Sequence, residues 1–288
     1  VGLQNLTINK YSECLRFIFN SWVSYNLCDN SQNFVIFGVN FLITQKIKFL
    51  ILNVLIAISV VSVVLLKRIP QDPDYHIFAD SKKIFGIPNF WNVISNAPFL
   101  AVGVFGLMRE NCLEQKKSQW AYIILCVGVF LIGLGSAYYH VAPSTPTLVW
   151  DRLPMTIGFM SLFWLLLEER VYPAISGKTL TLFIFIGAGS VGYWAWSESR
   201  GVGDLRLYAL VQFLPIILMP TILILFKRNY LINGYLVLSF VFYVGAKIFE
   251  HFDWQTQHYL TYISGHTIKH LLASVAVLCI VLAVPSKK

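Results

Sequence analysis

Three polar clusters interrupt apolar runs at places where a helix that only packs would carry leucine. The first, GLGSAYYH over residues 133–140, sets Ser136 and His140 four residues apart, which puts them on one helix face. The second, WDRLPMT, carries Asp151 eleven residues after His140, and the third, SGHTIKH, sets His266 and His270 four apart on a shared face. Three neutral imidazoles with one water form the ligand set of a catalytic zinc that keeps an open position. Such an ion polarises a carbonyl and brings the pKa of its water to about 7. Taken singly, each residue has a plainer reading. An HxxxH pair arises by chance in many helices, Asp151 could cap a helix entering Leu153 and Pro154, and Ser136 beside Gly133 and Gly135 could be a helix-packing contact. Joint placement is what favours chemistry.

That placement depends on the elements carrying the clusters. Of 288 residues, 57% are hydrophobic and 12% charged, against roughly 25% charged in a soluble domain. Apolar runs long enough to cross a hydrocarbon core of about 30 Å recur after residue 46. They predict spans at 47–66, 90–108, 119–140, 152–168, 179–196, 205–226, 232–250 and 262–283. The fold class expected is all-α: a polytopic membrane protein with a seven-transmembrane-helix core and one extra N-terminal transmembrane helix. The expected divisions are an N-terminal segment at 1–45, the extra helix at 46–70 and the membrane domain at 71–288. The ends of span three and the starts of spans four and eight then share one membrane face, where three histidines, a carboxylate and a hydroxyl can meet. Pro215 and Pro220 should bend the sixth span. The halves show no repeated motif, so an inverted-repeat transporter gains no support.

The formal charge of +8 sits at the ends of apolar segments, where anionic headgroups lie, so it argues against nucleic acid as a partner. Lys46, Lys48, Arg109, Lys116, Lys117, Arg170, Lys178, Lys227, Arg228, Lys287 and Lys288 collect on one face. Lys67, Arg68, Lys82, Lys83, Arg152, Arg200 and Arg206 fall on the other. Basic loops mark the cytoplasm, which puts both termini there and the clusters toward the opposite face. The cysteines, Cys14, Cys28, Cys112, Cys126 and Cys279, form no CxxC pair and predict neither a disulfide framework nor a thiolate site. No Met precedes Met108 and the chain begins with Val, so residues 1–45 are expected to be poorly ordered or translated from a misplaced start; Asn5-Leu6-Thr7 is a weak sequon there.

Ser136-x-x-x-His140, Asp151 and His266-x-x-x-His270 resemble the alkaline ceramidases and their wider superfamily, which includes the progestin and adiponectin receptors. FWNVISN, residues 90–96, resembles the start of the first family helix, and the resemblance covers about residues 72–283. It implies an intramembrane amidase that cleaves the N-acyl bond of ceramide-like lipids. It also implies that His140, His266 and His270 hold zinc, Asp151 orients or deprotonates the water, and Ser136 stabilises the oxyanion. A membrane lipid is the implied partner.

The segment before that helix departs from the family. An acidic, calcium-associated cluster is expected there, and this chain has DPDYHIFAD, with Asn89 in place of an acidic residue. Asp72, Asp74 and Asp80 offer oxygen ligands at a spacing that is not the family's, which leaves calcium open. His76 reads as an interfacial residue or a plug at the entrance, and His258 as a solvated loop residue. Lys247 and Glu250, three apart, read as a neutralising pair. Glu250 or Asp253 could accept the second nitrogen of a ligand histidine. A ligand-sensing receptor and an ion or proton transporter remain the rival functions.

Overall fold

Apolar runs in this chain become helices because a backbone in lipid must satisfy its own hydrogen bonds. The computed structural model describes residues 44–109, 113 and 116–285, together with the backbone of two short strands. The strands, β1 (Val35–Ile36) and β2 (Val39–Asn40), pair antiparallel within the unit Val1–Thr44. The other expectations for residues 1–43, the Asn5 sequon included, lie outside the described residues, as do Cys14, Cys28 and Cys112. Cys126 and Cys279 are buried free thiols.

The unit Gln45–Lys288 is helical. Its helices are α1 (Gln45–Leu65), α2 (Phe90–Ile94), α3 (Ala97–Met108), α4 (Lys116–Val141) and α5 (Thr145–Leu166). They continue with α6 (Gly177–Ser199), α7 (Arg206–Leu225), α8 (Asn233–His251), α9 (Asp253–Leu260) and α10 (Gly265–Ala283). A helix occupies every expected span, with α2 and α3 sharing the second, and the chain is an all-α multi-pass membrane protein. Among the described residues, six spans are long and apolar enough to cross on their own, and α8 with α9, the two meeting at 82°, makes a seventh if taken as one span.

The exception is α5, whose Asp151, Arg152 and hydroxyl residues dilute its apolar content. It is also deeply enclosed: it packs against α4, α6 and α7, and every residue from Met160 to Leu166 is buried. Polar groups at membrane depth belong in such a position. By contrast α1 packs along α7 with Leu52 as its one buried residue, leaving an aliphatic surface for lipid. Helix α7 runs unbroken through Pro215 and Pro220.

Two local features differ from the sequence reading. Helix α5 begins seven residues earlier than expected, because Ser144 and Thr147 form a reciprocal capping box with Pro146 in the first turn. Asp151 is therefore inside the helix and caps nothing. The segment after α8 is the short helix α9, which carries an exposed His258.

At the far end of α5 a wider turn, Leu167–Val171, buries Glu168, Glu169 and Arg170. Glu169 accepts the backbone N–H groups of Asn229 at 2.6 Å, Tyr230 at 3.0 Å and Leu231 at 3.2 Å, and pairs with Arg170. Arg170 also donates to Asn233 Oδ1 at 2.6 Å. These bonds hold the α7–α8 loop. They also remove Arg170 from the set of headgroup-facing charges, so it says nothing about orientation.

Candidate active site

Close helix contact brings the first polar group together. A Cβ on Gly135 would stand 2.0 Å from the Trp150 carbonyl oxygen, so only glycine lets α5 lie this close to α4. The contact sets Asp151 beside Ser136. His140, one turn further along α4, is buried.

A second close contact seats the start of α10. A Cβ on Gly265 would meet the Phe249 carbonyl oxygen at 2.2 Å, under the elbow between α8 and α9. There Asp253 accepts the His266 N–H at 2.7 Å and the Ala79 N–H at 3.0 Å, while Ser264 accepts the Thr267 N–H at 3.1 Å. Two of the unpaired donors that begin every helix are thus satisfied. Asp253 fixes the backbone of His266 rather than its imidazole.

His140, His266 and His270 converge, with ligand atoms all within 4.8 Å of one another. The Nε2 atoms of His140 and His266 face each other at 3.2 Å. His270 turns its Nδ1 to Ser95 Oγ at 2.8 Å and Asn96 Nδ2 at 3.4 Å. The Ser95 hydroxyl donates to the Asn92 carbonyl at 3.2 Å, which leaves its lone pair to accept from His270 Nδ1 when that nitrogen carries the ring proton. In that tautomer Nε2 of His270 is a lone pair, and the ring centroid lies 4.9 Å from that of His140 and 4.8 Å from that of His266. One proton can bridge two facing imidazoles, and a metal ion among the three rings would take a lone pair from each. The donor set fits a metal ion.

The supporting groups come from the loop and α2. Asn92 is fully buried, gives its N–H to Asp80 at 3.0 Å, and accepts on Oδ1 from Thr267 at 2.8 Å and Ser264 at 3.2 Å. Phe78 lies over His140 at 4.7 Å and His266 at 4.5 Å between ring centroids. His76 bridges Tyr139 Oη at 2.9 Å and Thr145 Oγ1 at 3.1 Å, pinning this loop to α4 and α5. Arg152, which follows Asp151, is buried against Trp194 at 4.2 Å, Tyr208 at 4.8 Å and Tyr75 at 5.5 Å. It too is no loop charge.

The acidic residues expected near a cation are occupied otherwise. Asp72 accepts the Asp74 N–H at 2.9 Å, Asp80 accepts from Lys82 and Asn92, and Asn89 donates to the His140 carbonyl at 2.8 Å. Among the described residues, only the histidine triad brings three or more such side chains together. Glu250 holds Lys247 and Lys269, each at 2.6 Å, and takes no imidazole proton.

A cavity opens from this site into the bundle. Ser136, Asp151, Lys269 and His270 line its polar end, and Phe159, Met219 and Ile280 belong to its long apolar wall. The wall follows α5 from Asp151 to Leu166, about 22 Å at the helical rise. Ile216 and Tyr243 line both this cavity and an outer groove between α7 and α8.

The family model described as Ceramidase matches residues 84–285, well over half the chain. The chain belongs to the ceramidase family. No curated protein and no solved structure matches it. The match begins at Ile84 and takes in every residue of the triad, Asp151, Ser136 and the cavity wall, and it supports a ceramide-hydrolysing activity. The receptor alternative is not favoured by it. His76 and Phe78, which cover the triad, precede the matched region.

Sequence reasoning missed Ser95, Asn92 and Phe78 as parts of the site. The FWNVISN motif contained two of them, and their polarity within an apolar span was the available signal.

Proposed function

We propose that this protein is a zinc-dependent intramembrane amidase cleaving the N-acyl bond of ceramide-like lipids. The observation that carries the reading is the cavity, whose end holds Asp151, Ser136 and His270 and whose length is an apolar sleeve. An acyl chain fills the sleeve and places its carbonyl at the polar end. The groove sharing Ile216 and Tyr243 with the cavity admits the substrate from the lipid side.

His140, His266 and His270 are the residues that would hold zinc, and the ion would supply Lewis acidity at the carbonyl and acidify a water. Asp151 takes the proton of the attacking water and passes it to the leaving amine. Ser136 aims that carboxylate and, once Asp151 carries the proton, turns its hydroxyl to the carbonyl oxygen. Phe78 and the loop behind it exclude bulk water. Both termini face the cytoplasm and the site faces the other side, on the balance of basic residues that remain in loops.

Metal analysis tests the ligand assignment. Purified protein carries about one zinc, and His266→Ala or His270→Ala loses it, because two imidazoles leave an incomplete shell. Undiminished zinc in both variants would overturn the assignment.

A further inference from the structure

The polar end of the cavity contains one ammonium group that the mechanism above leaves unused. Lys269 stands one turn after His266 on α10, and its Nζ lies 3.5 Å from the His266 Nε2 that faces the triad centre. It lines the cavity together with Ser136, Asp151 and His270, and no other Lys or Arg among the described residues does so. Its position is fixed: Glu250 Oε1 holds it at 2.6 Å, and the second oxygen of Glu250 holds Lys247 at 2.6 Å. Glu250 thus answers one of the two ammonium charges, and the Asp151 carboxylate lines the same cavity end as Lys269. An oxyanion that forms at this end as the Asp151 carboxylate takes up a proton gains both a hydrogen bond and a counter-charge from Lys269.

The reaction generates an anion at this position. As the water oxygen bonds to the carbonyl carbon, the C=O π pair moves onto oxygen and the water's proton goes to Asp151. When the pair returns, the C–N bond breaks and the amine departs with that proton. The acid that remains gives its proton to the released amine, which leaves as an ammonium, and is a carboxylate. The hydroxyl of Ser136 lines the same end and contributes no net charge to either anion. Lys269 contributes both a donor and a charge, and such preorganised donors are strong in a dry site.

We propose that Lys269 is a further catalytic residue, positioned by Glu250, whose ammonium binds the oxyanion on the scissile carbon and then the fatty-acid carboxylate product. This rests on the amidase reading, because it takes the cavity as the acyl site. It assigns the cavity end a preference for a carboxylate over a neutral group on the same chain.

A binding measurement separates the two ideas. Detergent-purified protein, with and without chelator treatment, is titrated with palmitate and with hexadecanol. Intact protein binds both and prefers palmitate by about 10- to 100-fold, as expected for a hydrogen bond to a charged group. Lys269→Met binds hexadecanol as before but loses that preference, and it keeps its zinc. Retained hexadecanol binding shows that the variant is folded. Lys247→Met, whose side chain lies in the outer groove, keeps the preference. A palmitate preference that survives in Lys269→Met, or that disappears equally in Lys247→Met, would overturn the role of Lys269 while leaving the amidase reading intact. Failure of the intact protein to bind either ligand would overturn the acyl-site reading and this proposal with it. In turnover, Lys269→Met lowers kcat by about 10²- to 10³-fold with little change in KM, the pattern of an interaction made in the transition state; an equal rise in KM at constant kcat would contradict it.

Discussion

The Ser95 hydroxyl stands 2.8 Å from Nδ1 of His270, although 175 residues separate the two in sequence. A hydroxyl that accepts Nδ1–H there holds the tautomer that leaves Nε2 free for a metal. Ser95→Ala should therefore lower metal affinity about 10- to 100-fold without unfolding the protein. Zinc competition against a chelator of known affinity measures this. Unchanged affinity would show that Ser95 does not set the tautomer of His270.

Gly135→Ala should separate α4 from α5, since the new methyl would meet the Trp150 carbonyl at 2.0 Å. Overpacking of this kind costs about 1–3 kcal/mol and moves Asp151 away from Ser136. Gly189→Ala, where nothing lies within 4 Å, serves as the control and should be neutral or stabilising by up to about 1 kcal/mol. Thermal melting with paired activity assays compares them. Equal melting temperatures and equal activities would contradict the close-contact account.

Of the site, the triad and Asp151 were legible because helical spacing displays itself in sequence: positions four apart share a face, and span order sets which ends meet. Groups joined across the fold have no such signature. Ser95, Asn92 and Phe78 act on residues far along the chain, and nothing in their spacing predicts it. Asp151 looked like a cap because Pro154 resembles a helix start, whereas Ser144 and Thr147 with Pro146 were the actual start signal. Counting Arg152 and Arg170 as loop charges failed for a related reason. Composition shows that a charge exists, and only packing shows that Trp194 and Tyr208 enclose the one and Glu169 the other.

The loop over the site should respond to pH through His76. Burial, and then the nearby Arg152 guanidinium, hold its pKa below the usual histidine value of 6.5. The folded loop thus favours the neutral ring, so the stabilisation is complete above about pH 6.5 and is lost as pH falls below it. Protection factors across residues 71–89, taken against the intrinsic exchange rate at each pH, should fall from pH 7.5 to 5, and His76→Gln should flatten that response. Protection factors independent of pH in the intact protein would contradict the clamp.

Orientation is open to labelling with a thiol reagent that cannot cross membranes, in a background lacking Cys14, Cys28 and Cys112. Val141→Cys, exposed at the site end of α4, should react from the outer side. Lys178→Cys, at the start of α6, should react only after lysis. The reverse pattern would place the site on the cytoplasmic side.

The central claim is that Asp151 moves the proton in an amide hydrolysis carried out among these helices. Asp151→Asn caps no helix and keeps a hydrogen-bonding partner for Ser136, so fold and zinc should persist. Its amide cannot take up the water's proton. The decisive measurement is release of sphingoid base from a ceramide by purified protein and by Asp151→Asn, with zinc content determined on the same samples. The account predicts about one zinc in each, turnover by the intact protein, and a loss of about 10²- to 10⁴-fold in the variant. Near-normal turnover by Asp151→Asn with zinc retained would contradict it, as would an intact, zinc-loaded protein that releases no base.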